Sequence, residues 1–193
     1  MRKRLEAFGV VAVLSALSIG SAAAASDSDL ALFGRDPGNE RVFACYTRHY
    51  DAPHLAGHPQ QNVVNMALFV TSYVERDAGR QYLLNIGVQF RAAKTQFQVS
   101  GSCSHPAGGN QALGCGIECD GGYIGIRIKN AESILVDVPD GARTWDPESD
   151  EEPGEGGRFG PDDKLFRLDR AALRDCAPLI WDEEDRATIL SGS

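Results

Sequence analysis

Three groups of residues in this chain have types and spacings that could do chemistry. His49, Asp51, His54 and His58 fall within ten residues around Pro53 and Pro59. Imidazole and carboxylate are ordinary zinc ligands, and Asp51 can cap a single helical turn that puts His54 and His58 on one face. The spacing is not that of HExxH or a related zinc motif, so a metal-dependent protein or hydrolase built on these four residues is an alternative reading only. The second group, Asp146, Glu148, Asp150 and Glu152 beside Trp145, alternates carboxylates as a calcium loop might. A calcium loop starting at Asp146 would need Gly where Glu151 stands and Glu where Gly157 stands, so a solvated acidic loop is expected instead.

The third group is the five cysteines, Cys45, Cys103, Cys115, Cys119 and Cys176. Cys103, His105, Cys115 and Cys119 have the ligand types of a Cys3His zinc site, and Cys119 beside Asp120 invites a nucleophile reading. Both are outweighed by the compartment argued below and by an alternation that turns Cys103, Cys115 and Cys119 toward a core. The chain carries no GxSxG, phosphate-loop, GxGxxG or CxxC motif, so no catalytic residue is assigned and no cofactor is expected.

The elements that must position these groups read as strands. Residues 1–25 have the form of a secretory signal: Arg2, Lys3 and Arg4, an apolar run over 7–19, and Ala23, Ala24 and Ala25 before a cleavage site. That implies a periplasmic or secreted protein, in which cysteines pair. The apolar run is shorter than the ~20 residues of a membrane span, and no later segment approaches that length. The 193 residues carry a net charge of −8, and the remainder is more acidic once the basic start is set aside. Such a charge disfavours nucleic acid and anionic lipid as partners.

Residues 26–40 are polar and Gly/Pro-containing, and are expected to form a flexible lead-in. A single disulfide-stabilised domain is expected over 41–181. Within it, 41–46 reads as a first strand, and 62–74 alternates through Val64, Met66, Leu68, Val70 and Val74. The run Tyr82, Leu84, Ile86, Val88 and Phe90 alternates with polar residues almost without exception. Residues 95–128 continue with period two, and a reversal centred on Gly109 sets Cys103 opposite Cys115. A two-residue Asp120-Gly121 turn would then set Ile117 opposite Ile124 and Cys115 opposite Ile126. Ile128 pairs with Ile134 in the next hairpin, and 165–168 supplies a last strand.

The expected fold is therefore all-β, a mainly antiparallel meander closing into a small β-barrel or β-sandwich of about seven or eight strands. One or two short helices accompany it, one of them at 170–175 capped by Asp169 and delivering Cys176. Residues 139–164 form a long acidic, Gly/Pro-rich loop, and 182–193 a frayed tail. Cys103–Cys115 and Cys45–Cys176 are the expected bridges, with Cys119 an inert odd thiol. The functional expectation is an exported, non-catalytic binding or interaction protein for an unknown protein or small ligand, of undetermined oligomeric state. Its contact surfaces would be the acidic loop (Trp145, Asp146, Glu148, Asp150, Glu152) and the histidine loop (His49, Asp51, His54, His58), because loops on a rigid sheet carry recognition. A structural cell-envelope protein is the remaining alternative.

Overall fold

A computed structural model describes residues 27–108, 110–149 and 151–192. The signal expected at 1–25, Gly109 and Asp150 lie outside them. Eight antiparallel strands follow one another: β1 (Val42–His49), β2 (Val63–Glu75), β3 (Gly79–Phe90), β4 (Phe97–Ser104), β5 (Leu113–Ile117), β6 (Tyr123–Asn130), β7 (Ser133–Asp137) and β8 (Leu165–Arg170). Each pairs with the next, and β8 returns to β1 through Tyr46 opposite Arg170 and Thr47 opposite Asp169, closing the barrel. Closure leaves no unpaired strand edge.

Alternation decides the wall. In β3, Leu84, Ile86 and Val88 are fully buried, and Tyr46, Phe90, Leu113, Ile124, Ile126 and Phe166 join them in one core inside the barrel. An eight-stranded barrel is just wide enough to be filled by side chains, and this one is filled. Each such side chain contributes about 1.5–3 kcal/mol by leaving water. The polar partners of the alternation, such as Gln81, Asn85, Gln98 and Ser100, take the outer face, the reverse of a barrel whose wall meets lipid. Among the described residues, no helix is long and apolar enough to cross a membrane.

Both barrel ends are stoppered by segments that the alternation did not reveal. Where β3 begins, α1 (Asp27–Phe33) puts Leu32 and Phe33 into the core. The Tyr46 hydroxyl donates to Leu32 O at 2.7 Å, and Arg170 donates to Ala31 O at 2.7 Å. The expected lead-in is thus an anchored helix over part of its length. Where β3 ends, Phe159 packs edge-on against Phe90 at 5.5 Å. The fully buried Asp163 carboxylate accepts from the backbone N–H of Gly160 at 2.6 Å and of Asn62 at 2.9 Å. The end of the expected solvated loop, around Phe159 and Asp163, is therefore a plug.

The C-terminal chain covers the outer face of β1 and β2. After β8 a 3-10 helix (Leu173–Leu179) replaces the helix expected at 170–175, because β8 itself runs to Arg170. It delivers Cys176 to Cys45, and Leu179, Ile180 and Phe69 form a second apolar cluster there. A helix, α3 (Glu183–Ser191), follows in place of the frayed tail. Asp182 caps it, Ile189 is buried, and Arg41 pairs with Asp185 at 2.6 Å. A short helix between β1 and β2, α2 (Ala52–Gly57), is capped by Asp51.

Cys103 also bridges Cys115, across directly opposed positions of β4 and β5. The next register departs from expectation by two residues: Cys115 faces Ile124 and Leu113 faces Ile126. A shift of two preserves which side chains face inward, so the hydrophobic pattern cannot distinguish the two registers.

Two outcomes follow. In the chain-entropy description, a link across 131 residues constrains the unfolded chain more than one across 12, roughly 5 against 3 kcal/mol. Paired Cys45→Ala/Cys176→Ala substitution should therefore lower the denaturant midpoint more than Cys103→Ala/Cys115→Ala, measured by chemical unfolding. Burial pushes the phenols of Tyr46 and Tyr50 up to about 12, and burial with the Asp29 hydrogen bond pushes Tyr82 higher. Between pH 10 and 12 the folded chain holds protons that the unfolded chain releases. Stability should therefore fall as pH rises, by up to about tenfold in the folding constant per pH unit for each tyrosine. Tyrosinate absorbance rising with no drop in the unfolding midpoint would contradict this.

Candidate binding cleft on the outer wall

The β5–β6 turn builds one wall of a cleft. Ile117 N–H donates to Gly122 O at 3.0 Å, enclosing Glu118, Cys119, Asp120 and Gly121 in a four-residue loop rather than the expected Asp-Gly pair. Cys119 and Asp120 both take left-handed backbone (φ 57° and 55°), a conformation that costs most side chains ~1–2 kcal/mol and Asp less. The loop is held from outside: Glu118 N–H donates to Ser100 O at 3.1 Å, and Arg143 N–H to Gly121 O at 2.8 Å. The consequence is a correction. Cys119 does not end an apolar strand face; it stands on an exposed turn with a free thiol.

Beyond the end of β5, Ala142 and Arg143 pair with the turn residues Gly122 and Gly121, and Trp145 takes the place of β5 beside β4. Trp145 and Gln98 exchange both backbone hydrogen bonds, at 2.8 and 2.9 Å. Trp181 arrives from the C-terminal side and donates its indole N–H to Gln98 Oε1 at 3.0 Å, and the two indoles meet edge to face at 5.6 Å. Between the turn and these rings lies a cleft of about 320 Å³, lined by Ser100, Ile117, Glu118, Cys119, Arg143, Trp145 and Trp181. That is the size of a small-ligand site. Trp145 and Trp181 remain 39% and 48% exposed, a large apolar surface to leave in water. Ser100, at its floor, is 5% exposed, and its hydroxyl has no hydrogen-bond partner among the described residues.

Arg143 also lines a neighbouring, polar cleft of about 500 Å³ with Asp120, Asp140, Glu152, Arg158 and Phe159. The Arg143 guanidinium pairs with Glu152. The two clefts share Arg143, so together they offer an apolar, aromatic half and a charged, hydrogen-bonding half. The flanking acids Glu118 and Asp120 are exposed, which gives the Cys119 turn an anionic rim.

The acidic-loop residues divide. Trp145 and Glu152 line the clefts; Asp146 closes a turn by accepting from Glu148 N–H at 2.9 Å. The histidine loop is occupied with itself: Asp51 caps α2 by accepting from His54 N–H at 2.9 Å, His49 meets Asn65 Oδ1 at 2.5 Å, and His54 meets Gln61 Oε1 at 3.0 Å. His54 and His58 do share a face, their rings stacked at 4.5 Å. Among the described residues, no group of three or more His, Cys, Asp or Glu side chains is placed to hold a metal ion. A zinc site at Cys103, His105, Cys115 and Cys119 is overturned by the Cys103–Cys115 bridge. His105 instead places Nδ1 2.6 Å from Ala112 O and Nε2 2.8 Å from the Tyr82 hydroxyl, which donates to Asp29.

Sequence reasoning missed Ser100, Ile117, Arg143 and Trp181 as neighbours. Ser100 reads as one polar residue among many on an outward face; only the indoles folded over it distinguish it. Trp181 had a weak signal, an aromatic ring in a polar C-terminal stretch. No protein-family model, curated protein or solved structure matches this chain.

Proposed function

We propose that this is an exported, non-catalytic binding protein that takes a small amphipathic ligand on the outer wall of its barrel, in the cleft of Trp145, Trp181 and Ser100. The observation that carries the reading is the pair of half-exposed indoles in a cleft also lined by Ser100, whose buried hydroxyl has no hydrogen-bond partner among the described residues. Large aromatic faces supply contact area at low entropic cost. A buried hydroxyl without a partner costs about 1–3 kcal/mol, which a ligand's polar atom would recover. The packed interior supports an outside site, since a filled barrel has no lumen to offer. Export is supported by the two disulfides, which persist in oxidising compartments, together with the signal-like pattern of residues 1–25. The ligand would lay an aromatic or aliphatic portion on the indoles and extend a polar portion toward Arg143 and Asp140.

Trp145 and Trp181 are the two tryptophans of the chain, so intrinsic emission reports this cleft directly. In a screen of small amphipathic compounds, binders should change that emission and raise the melting temperature. Trp181→Ala should weaken binding at least tenfold, as truncated aromatic anchors do. Ser100→Ala separates a ligand role from a packing role: it should raise the melting temperature of the free protein yet weaken binding. Compounds that bind equally well to wild type and Trp181→Ala would overturn the reading.

A further inference from the structure

The cleft described above has a feature that non-covalent binding does not use. Cys119, the unbridged cysteine, is exposed at its rim, whereas the other four are tied into two disulfides. A free, exposed thiol in a protein that otherwise pairs its cysteines is chemically competent for exchange with disulfides. It also sits beside the buried Ser100 hydroxyl that lacks a partner and beside the open faces of two indoles. Both of those features point to a bound group next to the sulfur. The left-handed turn leaves Cys119 exposed, whereas Cys103 and Cys115 are already joined across β4 and β5.

We propose that Cys119 is a site of reversible S-thiolation by small aminothiols, presented to the protein as their disulfides. This rests on the cleft being a ligand site. The Cys119 thiolate attacks one sulfur of the incoming disulfide, the ligand S–S bond breaks, and a Cys119–S–S–R bond forms. The departing thiolate takes up the proton that Cys119 lost. Cys119 is oxidised and the released half of the ligand is reduced, so no other oxidant is needed. Charge selects the class: Glu118 and Asp120 flank the sulfur, while the nearest cation lining the cleft, Arg143, is neutralised by Glu152. An ammonium on the ligand is attracted to that rim, and a net-anionic thiol is repelled.

The test incubates the intact, oxidised protein with cystamine, 2-hydroxyethyl disulfide or glutathione disulfide and follows adduct mass and rate at low and high salt. One adduct per chain is expected. Cystamine should react fastest, about threefold to tenfold ahead of glutathione disulfide at low salt, with the gap closing at high salt. The cystamine adduct should change tryptophan emission. Cys119→Ser should form no adduct, and Trp181→Ala should still form an adduct but lower its equilibrium yield severalfold. Charge-independent rates, or a yield unaffected by both Trp181→Ala and Ser100→Ala, would overturn the inference. Disulfide-linked dimers as the main product would overturn it too. If wild type binds the non-covalent ligands but forms no adduct, the thiolation inference fails and the cleft reading stands; if non-covalent binding is absent from wild type, the cleft reading fails first.

Discussion

The return of β8 to β1 is the constraint on which the rest of this molecule depends. Once the sheet closes on eight strands, the interior has a fixed bore, and bulky residues at inward positions fill it. Leu84, Ile86, Ile124, Ile126 and Phe166 cannot serve as a pocket and a core at once, and they are the core. Recognition then has two places to go, the ends and the outer wall. The ends are stoppered by α1 with Leu32 and by Phe159 with Asp163. That leaves the outer wall, where β5 stops after Ile117 and Trp145 takes over its place beside β4.

That handover creates the cleft. A five-residue β5 beside an eight-residue β4 leaves part of β4 to be covered by something else. Trp145 supplies the backbone pairing, and Trp181 supplies the cover, held by Gln98. The C-terminal chain can bring Trp181 there because the Cys45–Cys176 bridge and the Phe69, Leu179 and Ile180 cluster fix it to the wall. Stability and site are therefore linked: the long-range disulfide also sets the position of one aromatic face.

How much of this was legible in the sequence follows from the range of the forces involved. Period-two alternation is local, so the strands, an antiparallel meander forming a small barrel or sandwich, and the Ile128–Ile134 pairing could be read directly. Cys103 opposite Cys115 followed from the same parity. The β5–β6 turn could not be fixed that way, because a slip of two residues leaves every side chain on its own face. What separates the registers is a set of tertiary bonds, from Glu118 N–H to Ser100 O and from Arg143 N–H to Gly121 O. Residues 26–40, 139–164 and 182–193 looked loose for a related reason. The described parts of these stretches are ordered by a few anchors, Leu32, Phe159 with Asp163, and Ile189, rather than by a repeating pattern. Of the candidate site, Trp145 and Glu152 stood out beforehand as members of the acidic loop, and Cys119 beside Asp120 as an odd thiol, but nothing in the sequence brought them together.

Recognition by two indoles on the barrel's outer wall is the central claim, and proton–nitrogen NMR tests it most directly. The two tryptophans give two indole N–H signals, and both rings line the same cleft. Titrating small amphipathic compounds into labelled protein should shift both indole signals together with the backbone amides of Ser100, Glu118 and Cys119. Compounds that instead perturb the histidine loop or the stoppered barrel ends, leaving both indole signals in place, would contradict the account.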